Sequence, residues 1–427
     1  MAFHPRENWD PRTRRRLYSR REFLWRAGAV GASLPVMSAL LAACGDGGED
    51  AVAEVVIGTP SNPATQPLSD SNPMIESGMA AEAGPLKIYN WADYLNPDTI
   101  EEAKAALGVD IELTTYFNEE EALQKLISGE VNFDVWFPVA STVGKSVAGQ
   151  LIQPINHDYI PNLANVWPQL ADPFYDKGSQ YSVPYTVYQT GIAWREDMVD
   201  SADVDIDNPY DVFWNPKYKG ITGLYDDFRE TLHMVMHRQG VGNTPDATQA
   251  QVDAAADALL ELVDLMDIRY SIDGAYAGIP EGKYGLHMSW SGDIVAAPYY
   301  FPEDGDPSVT RYLWPAHGKG TVRANIANDT IAVLKGAESP VLAHQFLNFM
   351  LDETNAVNNF GWVGYQPPQN GLDVDSLVAD EWVPEYLSSA IVLPEDFDND
   401  RGEVPIQLNA EQEKMLLDAW ARVQAGG

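Results

Sequence analysis

The chain has 427 residues, 45% of them hydrophobic, which is enough for two or three domains that each bury a core. It carries 27 basic against 63 acidic residues, a formal net charge of −36. Such a charge repels nucleic acid and anionic membranes and excludes polyanion binding, and the single cysteine, Cys44, excludes an internal disulfide or a thiolate metal cluster.

In chain order, residues 1–43 read as an export signal: Arg20 and Arg21 before Phe23-Leu24, an uncharged stretch from Ala27 to Ala43, then Leu41-Ala42-Ala43-Cys44. The paired arginines resemble a twin-arginine signal, and the last four residues resemble a lipobox, implying cleavage before Cys44 and a lipid on its sulfur. The apolar run, about 17 residues, also leaves open an uncleaved membrane anchor. Without this segment 19 basic and 60 acidic residues remain. Solubility and adaptation to high salt both account for that balance, and charge alone does not imply a cationic ligand. Residues 44–85 read as a disordered acidic tether: positions 45–84 hold seven acids, no lysine or arginine, and no periodic pattern.

From residue 86 strands and helices alternate. Leu86 to Tyr89 reads as a strand. Asn96-Pro97 starts a helix with Ile100, Ala103 and Leu107 on one face, stopped by Gly108. Val109, Ile111 and Leu113 alternate as a strand. Asn118 opens a helix with Ala122, Leu123, Leu126 and Ile127 inward and Gly129 after it. Extended segments are expected at 133–138, 181–197, 221–225, 285–290 and 325–334. Helices are expected at 228–239, 246–265, 340–354 and 409–424, the last with Met415, Leu416, Ala419, Trp420 and Val423 inward. The rhythm predicts an α/β fold with a mostly parallel sheet and helices on both faces.

Several segments carry a family resemblance. "YNWADYL" at the first strand end, "FWNPKYKG" at 213–220, "DDFRE" at 226–230, "WSGD" at 290–293 and "GYQPPQN" at 364–370 resemble, in order, segments of the periplasmic spermidine/putrescine-binding proteins of ABC importers. The resemblance spans about 86–427. It implies a two-lobe periplasmic-binding-protein-like fold of type II, each lobe a mixed sheet flanked by helices. Lobe 1 is then 86–191 plus 328–373, and lobe 2 is 192–327 plus 374–427. Ligand lies in the cleft, and the lobes close on it like a hinge. The implied protein is a monomeric, lipid-anchored receptor, exported by the twin-arginine route to the periplasmic space or the outer face of the cytoplasmic membrane. It hands a polyamine to a permease, without cofactor, metal or enzymatic step. A receptor for another cationic amine and an extracytoplasmic acid–base hydrolase are the alternatives.

A polyamine is a methylene chain bearing ammonium groups, so its site needs carboxylates for the charges and aromatic walls for the rest. The resemblance assigns Asp93 to one ammonium, with Trp91 and Tyr94 as walls; packing rings beside a solvated turn residue are the plain alternative. Asp227 and Glu230 match a second carboxylate pair, and their Asp-x-x-Glu spacing is equally that of a helix capping box. Asp329 matches an acid at the second crossing, or is a turn residue. Trp290 and Tyr365 match cleft rings, and Gln407 loosely matches a late amide contact. The family's aromatic two residues before Asp329 is here Ala327, and its Ser-x-Tyr falls near Val139 and Ser141. Tyr185, Tyr188 and Trp136 are candidates to compensate. His233 and His237 stand one turn apart on a helix with no third metal ligand implied.

Overall fold

A computed structural model describes residues 55–129, 131–242 and 247–426. Cys44, with its expected lipidation, and the expected signal over 1–43 lie outside the described residues. The first half of the fold is laid down by β1 (Leu86–Trp91), α1 (Pro97–Leu107), β2 (Ile111–Tyr116), α2 (Glu119–Ser128), β3 (Val135–Trp136) and α3 (Val143–Ala148). Both long helices begin and end where local chemistry dictates. Asn96 accepts from Asp98 N, Asn118 accepts from Glu121 N, and Gly108 and Gly129 close the helices at φ 70° and 65°, a region that favours glycine. Ala103, Ala122 and Leu123 are buried, and Ile100, Leu107, Leu126 and Ile127 pack partly buried against the core. Leu113 departs from expectation: β2 is an edge strand, and Leu113 faces outward.

Strand β4 (Val183–Arg195) leads into the second half: β5 (Thr222–Leu224), α4 (Phe228–Arg238), α5 (Gln249–Met266), β6 (Arg269–Tyr270), β7 (Leu286–Trp290), α6 (Ser291–Ala296) and β8 (Thr310–Leu313). Strand β9 (Ala324–Val333) returns to the first half, followed by α7 (Pro340–Met350) and α8 (Glu353–Val363). The single helix expected over 340–354 is two, because Asp352 caps a new one by accepting from Thr354 N and Asn355 N. Strand β10 (Gly402–Glu403) and α9 (Ala410–Gly426) end the chain.

The strand order is β2-β1-β3-β9-β4-β7-β5-β6, with β8 on β4 and β10 on β9. The outer strands of each half pair in parallel, as the βαβ rhythm requires. The sheet is mixed rather than mostly parallel, because β4 and β9 run antiparallel to each other and to their neighbours β3 and β7. These two long strands are the joint between the halves. Ile192, Leu224, Leu232, Leu259, Met288 and Trp420 share one core, while Tyr89, Leu123, Trp136 and Ala332 share another. Leu377, Leu387 and Val392 join the largest cluster, which runs from Leu86 through Ile326 to Trp314 along the seam.

Residues 55–85 differ from the expected tether. They lie along the first half as an ordered strap with few apolar side chains, held instead by polar anchors. Gln66 donates to Tyr175 O (2.8 Å) and Asn72 to Ile152 O (2.8 Å), both buried, and Tyr181 donates to Pro67 O. Glu82 accepts from Val341 N and Leu342 N, meeting the free N–H groups at the start of α7. The low hydrophobicity that suggests disorder is offset by hydrogen bonds to backbone groups the body leaves open.

Candidate functional site

The site is built on one face of the β4–β9 joint. Alternation puts Asn325, Ala327 and Asp329 on the same face of β9, and Thr186, Tyr188 and Thr190 on the matching face of β4. The register pairs Thr186 with Asp329 and Tyr188 with Ala327, and on β4's other side Thr190 with Trp290.

Asp329 is 6% exposed. Its Oδ2 accepts from Tyr94 Oη at 2.8 Å, and the same hydroxyl meets Thr186 Oγ1 at 2.5 Å. Its Oδ1 is buried without a partner. Burial pushes this carboxyl up to about 7, against the opposing Tyr94 hydrogen bond. The residue is therefore a sheet acid, not a turn acid.

Asp227 and Glu230 make different contacts. Asp227 caps α4 by accepting from Glu230 N at 2.9 Å. The Glu230 side chain does not complete the box. It turns inward, and its Oε2 accepts from Asn325 Nδ2 at 3.2 Å. Glu230 is buried and Asp227 half-buried, and loss of water raises both acids, Asp227 to about 7 with the neighbouring Glu230 adding to it.

Glu119, the first residue of α2, joins them without having been singled out in the sequence. Its Oε1 accepts from Thr142 Oγ1 (2.9 Å) and Val139 N (3.2 Å), and its Oε2 is buried without a partner. Val139 in turn bridges Asp329. Burial pushes Glu119 up to about 8. It stands in a run of three glutamates at a helix start, which reads as helix-dipole compensation; only the tertiary fold separates it from Glu120 and Glu121.

Aromatic rings run past these acids from one half of the fold to the other. Centroid separations are 5.2 Å for Tyr185–Tyr94, 5.0 Å for Tyr94–Tyr365, 5.9 Å for Tyr365–Tyr188, 6.2 Å for Tyr188–Trp290 and 4.1 Å for Trp290–Tyr225. Asp293, from "WSGD", accepts from Tyr365 Oη and Tyr225 Oη, each at 2.8 Å. The Tyr365 ring seats against α6 only because residue 292 is glycine: a Cβ there would lie 2.3 Å from Tyr365 Cγ.

Other assigned residues sit at the margin. Asp93 is exposed, in the left-handed region at φ 55°, so it lies outside the buried acidic group. Trp91 is half-buried, donating to Phe137 O at 3.1 Å and tilted against Tyr116. Gln407 accepts from Lys145 N at 2.9 Å and lines a cavity of about 10 Å³, room for about one water, with Ser141, Gly144 and Val56. Beside it the two halves are joined by charge: Glu413 of α9 meets Lys145 of α3 at 3.2 Å and Arg229 of α4 at 3.3 Å, and Arg229 also donates to Ser141 Oγ. His233 and His237 are buried and held neutral by burial, and no three-residue metal-holding group occurs among the described residues.

Buried acids and a band of rings, set where two crossing strands join the halves of a mixed sheet, give the chain the layout of a solute-binding protein. Residues 98–382 match the family model of bacterial extracellular solute-binding proteins, and the chain belongs to that family. It is 24% identical over 355 residues to the putrescine/cadaverine-binding protein of Pseudomonas aeruginosa, covering 82% of this chain and 96% of the relative. It is 27% identical over 285 residues to the spermidine/putrescine-binding periplasmic protein of Escherichia coli, covering 66% and 77%. The same fold occurs in the spermidine/putrescine ABC transporter substrate-binding protein PotD of Streptococcus pneumoniae (TM-score 0.62, 23% identity, 80% of this chain and 98% of that one). It also occurs in the TpPotD lipoprotein of Treponema pallidum (TM-score 0.64, 20% identity, 79% and 98%).

Proposed function

We propose that this chain is the extracytoplasmic receptor of an ABC importer, that it binds a polyamine such as putrescine or spermidine between the two halves of the sheet, and that it delivers it to a membrane permease. The observation that carries this reading is the buried acidic group. Asp227, Glu230, Asp329 and Glu119 all have their carboxyls raised by burial, and Asp329 and Glu119 each keep a buried oxygen without a partner. Lys145 and Arg229 are engaged by Glu413. Acids so placed favour a ligand that brings several positive charges of its own. Methylenes between those charges suit the rings from Tyr94 to Trp290, and aromatic faces also attract ammonium by roughly 0.5–2 kcal/mol each.

The lobes are 86–191 with 328–373 and 192–327 with 374–427, hinged at β4 and β9. The packing of Leu408 and α9 with the core of α4 and α5 supports returning the chain's end to the second lobe. Asp93 and Trp91 serve as the rim that meets ligand first. Cys44 carries the lipid after export by the twin-arginine route, a reading supported by its signal motif. Binding and hand-over require no covalent chemistry. A thermal-shift screen of di- and polyamines, at low and high salt, tests the ligand class. Stabilisation that rises with polyamine concentration is expected; an unmoved midpoint with every amine would overturn the reading.

A further inference from the structure

His237 is a buried titratable group that belongs to neither the acids nor the rings of the site. It stands on α4 seven residues after Glu230, about two turns along the same helix face, and is 2% exposed. Both ring nitrogens face the β9–β10 ladder, in which Asn325 and Glu403 are paired. Nε2 lies 2.9 Å from Asn325 Oδ1, and Nδ1 lies 3.7 Å from Glu403 Oε2. The second contact is too long for a hydrogen bond, and Nδ1 makes none. Glu403 also meets Arg323 at 3.6 Å. Burial keeps the ring neutral against the pull of Glu403, so it carries one N–H.

The donors and acceptors of this row fit together in one way. Asn325 Nδ2 donates to Glu230 Oε2 at 3.2 Å, which leaves Oδ1 towards His237. An amide oxygen only accepts, so the ring hydrogen is on Nε2. The reversed amide would set its oxygen against the Glu230 carboxylate, two acceptors face to face. Trp314 Nε1 donates to the Asn325 carbonyl at 2.9 Å and pins the backbone, so the side-chain amide is the part left to orient. The amide's bond holds the Glu230 carboxyl down against the burial that raises it. A hydrogen bond accepted at Oδ1 polarises the amide and strengthens the one it donates. We propose that His237 is a positioning residue of the binding site: its Nε2–H fixes the Asn325 amide, and the amide holds Glu230 as an ionised acceptor for an ammonium group. The proposal rests on the polyamine reading above. His237 acts through Asn325 and not on the ligand.

Wild type, His237→Phe, His237→Gln, Asn325→Ala and the double variant His237→Phe/Asn325→Ala are titrated with putrescine and spermidine, each first checked for cooperative ligand-free unfolding. His237→Phe, which cannot donate, is expected to weaken binding about 10-fold, and His237→Gln, whose amide can donate, to recover most of that loss. Because His237 acts through Asn325, the double variant should bind within about 2-fold of Asn325→Ala alone. Wild-type affinity in His237→Phe, a Gln variant no better than Phe, or losses that add in the double variant would overturn the proposal. A second measurement is independent of affinity: nitrogen NMR of the histidine-labelled wild-type protein, with the His237 signals identified by their loss in His237→Gln. The hydrogen is expected on Nε2; a ring protonated on Nδ1 alone would equally overturn the proposal. Failure of wild type itself to bind either amine would instead remove the functional reading beneath it.

Discussion

Tyr94 donates its hydroxyl to Asp329 over 2.8 Å, joining the first loop of the folded body to a strand 235 residues further on. That bond ties together the rings at the first strand end and the acid at the second crossing. It leaves the other Asp329 oxygen buried and open.

Asp329 and Asp93 should therefore respond differently to removal of charge. Asp329→Asn is expected to weaken polyamine binding by roughly 1.5–3 kcal/mol, the scale of a hydrogen bond to a charged group. Asp93→Asn, at an exposed turn, should cost well under half of that. Calorimetric titration of both variants measures the difference, and an equal or reversed ranking would place the main ammonium contact at the rim.

The buried acids also set a pH dependence. Asp227 and Asp329 are raised to about 7 and Glu119 to about 8, above their unfolded values near 4. Between those limits the folded protein holds more protons than the unfolded chain. Their contribution to ligand-free stability is thus full below about pH 4 and lost as pH rises through 7 to 8. A cationic ligand favours the ionised acids, so affinity should rise over the same range and binding near pH 6 should release protons. Titrations in two buffers of different ionisation heat read the proton release; a heat independent of buffer would contradict it.

Lys145 and Glu413, each about 1% exposed, form a buried pair between α3 and α9, shared with Arg229. Burial opposes ionisation of Glu413, yet Lys145 and Arg229 outweigh it and hold the carboxyl below its ordinary value. Lys145→Met removes one partner and should destabilise by about 3–5 kcal/mol in denaturant unfolding. Combining it with Glu413→Leu should cost less than the two single changes together. A loss under about 1 kcal/mol in Lys145→Met would show that the pair is not buried in solution.

The strap over 55–85 makes a further expectation. Asn72→Ala removes the buried donor to Ile152 O and should cost about 1 kcal/mol. Amide hydrogen exchange should show protection at Ala64, whose N–H donates to Phe174 O, rather than the immediate exchange of a free tether.

How far the sequence was legible depended on whether its signals were local. Asn96, Gly108, Asn118 and Gly129 mark helix ends through their own side chains or backbone freedom, and the structure keeps each of them. The antiparallel run of β4 and β9 was not legible, because pairing over more than a hundred residues leaves no trace in periodicity. The order of the strap was not legible for a related reason: its anchors, Gln66 and Asn72, are ordinary polar residues until Tyr175 O and Ile152 O are placed beside them. At the site, the spacing of Asp227 and Glu230 fitted both a cap and a ligand pair; in the structure Asp227 makes the cap and the Glu230 side chain turns to Asn325 instead. Glu119 was hidden among like residues.

Titration calorimetry of the wild-type protein with putrescine and spermidine is the sharpest test of a polyamine site formed by the buried acids and rings. Saturable one-to-one binding of at least one of them, weakened by Asp329→Asn, is expected. Absence of binding heat with either amine across pH 6 to 8.5, confirmed by competition at two temperatures, would contradict it.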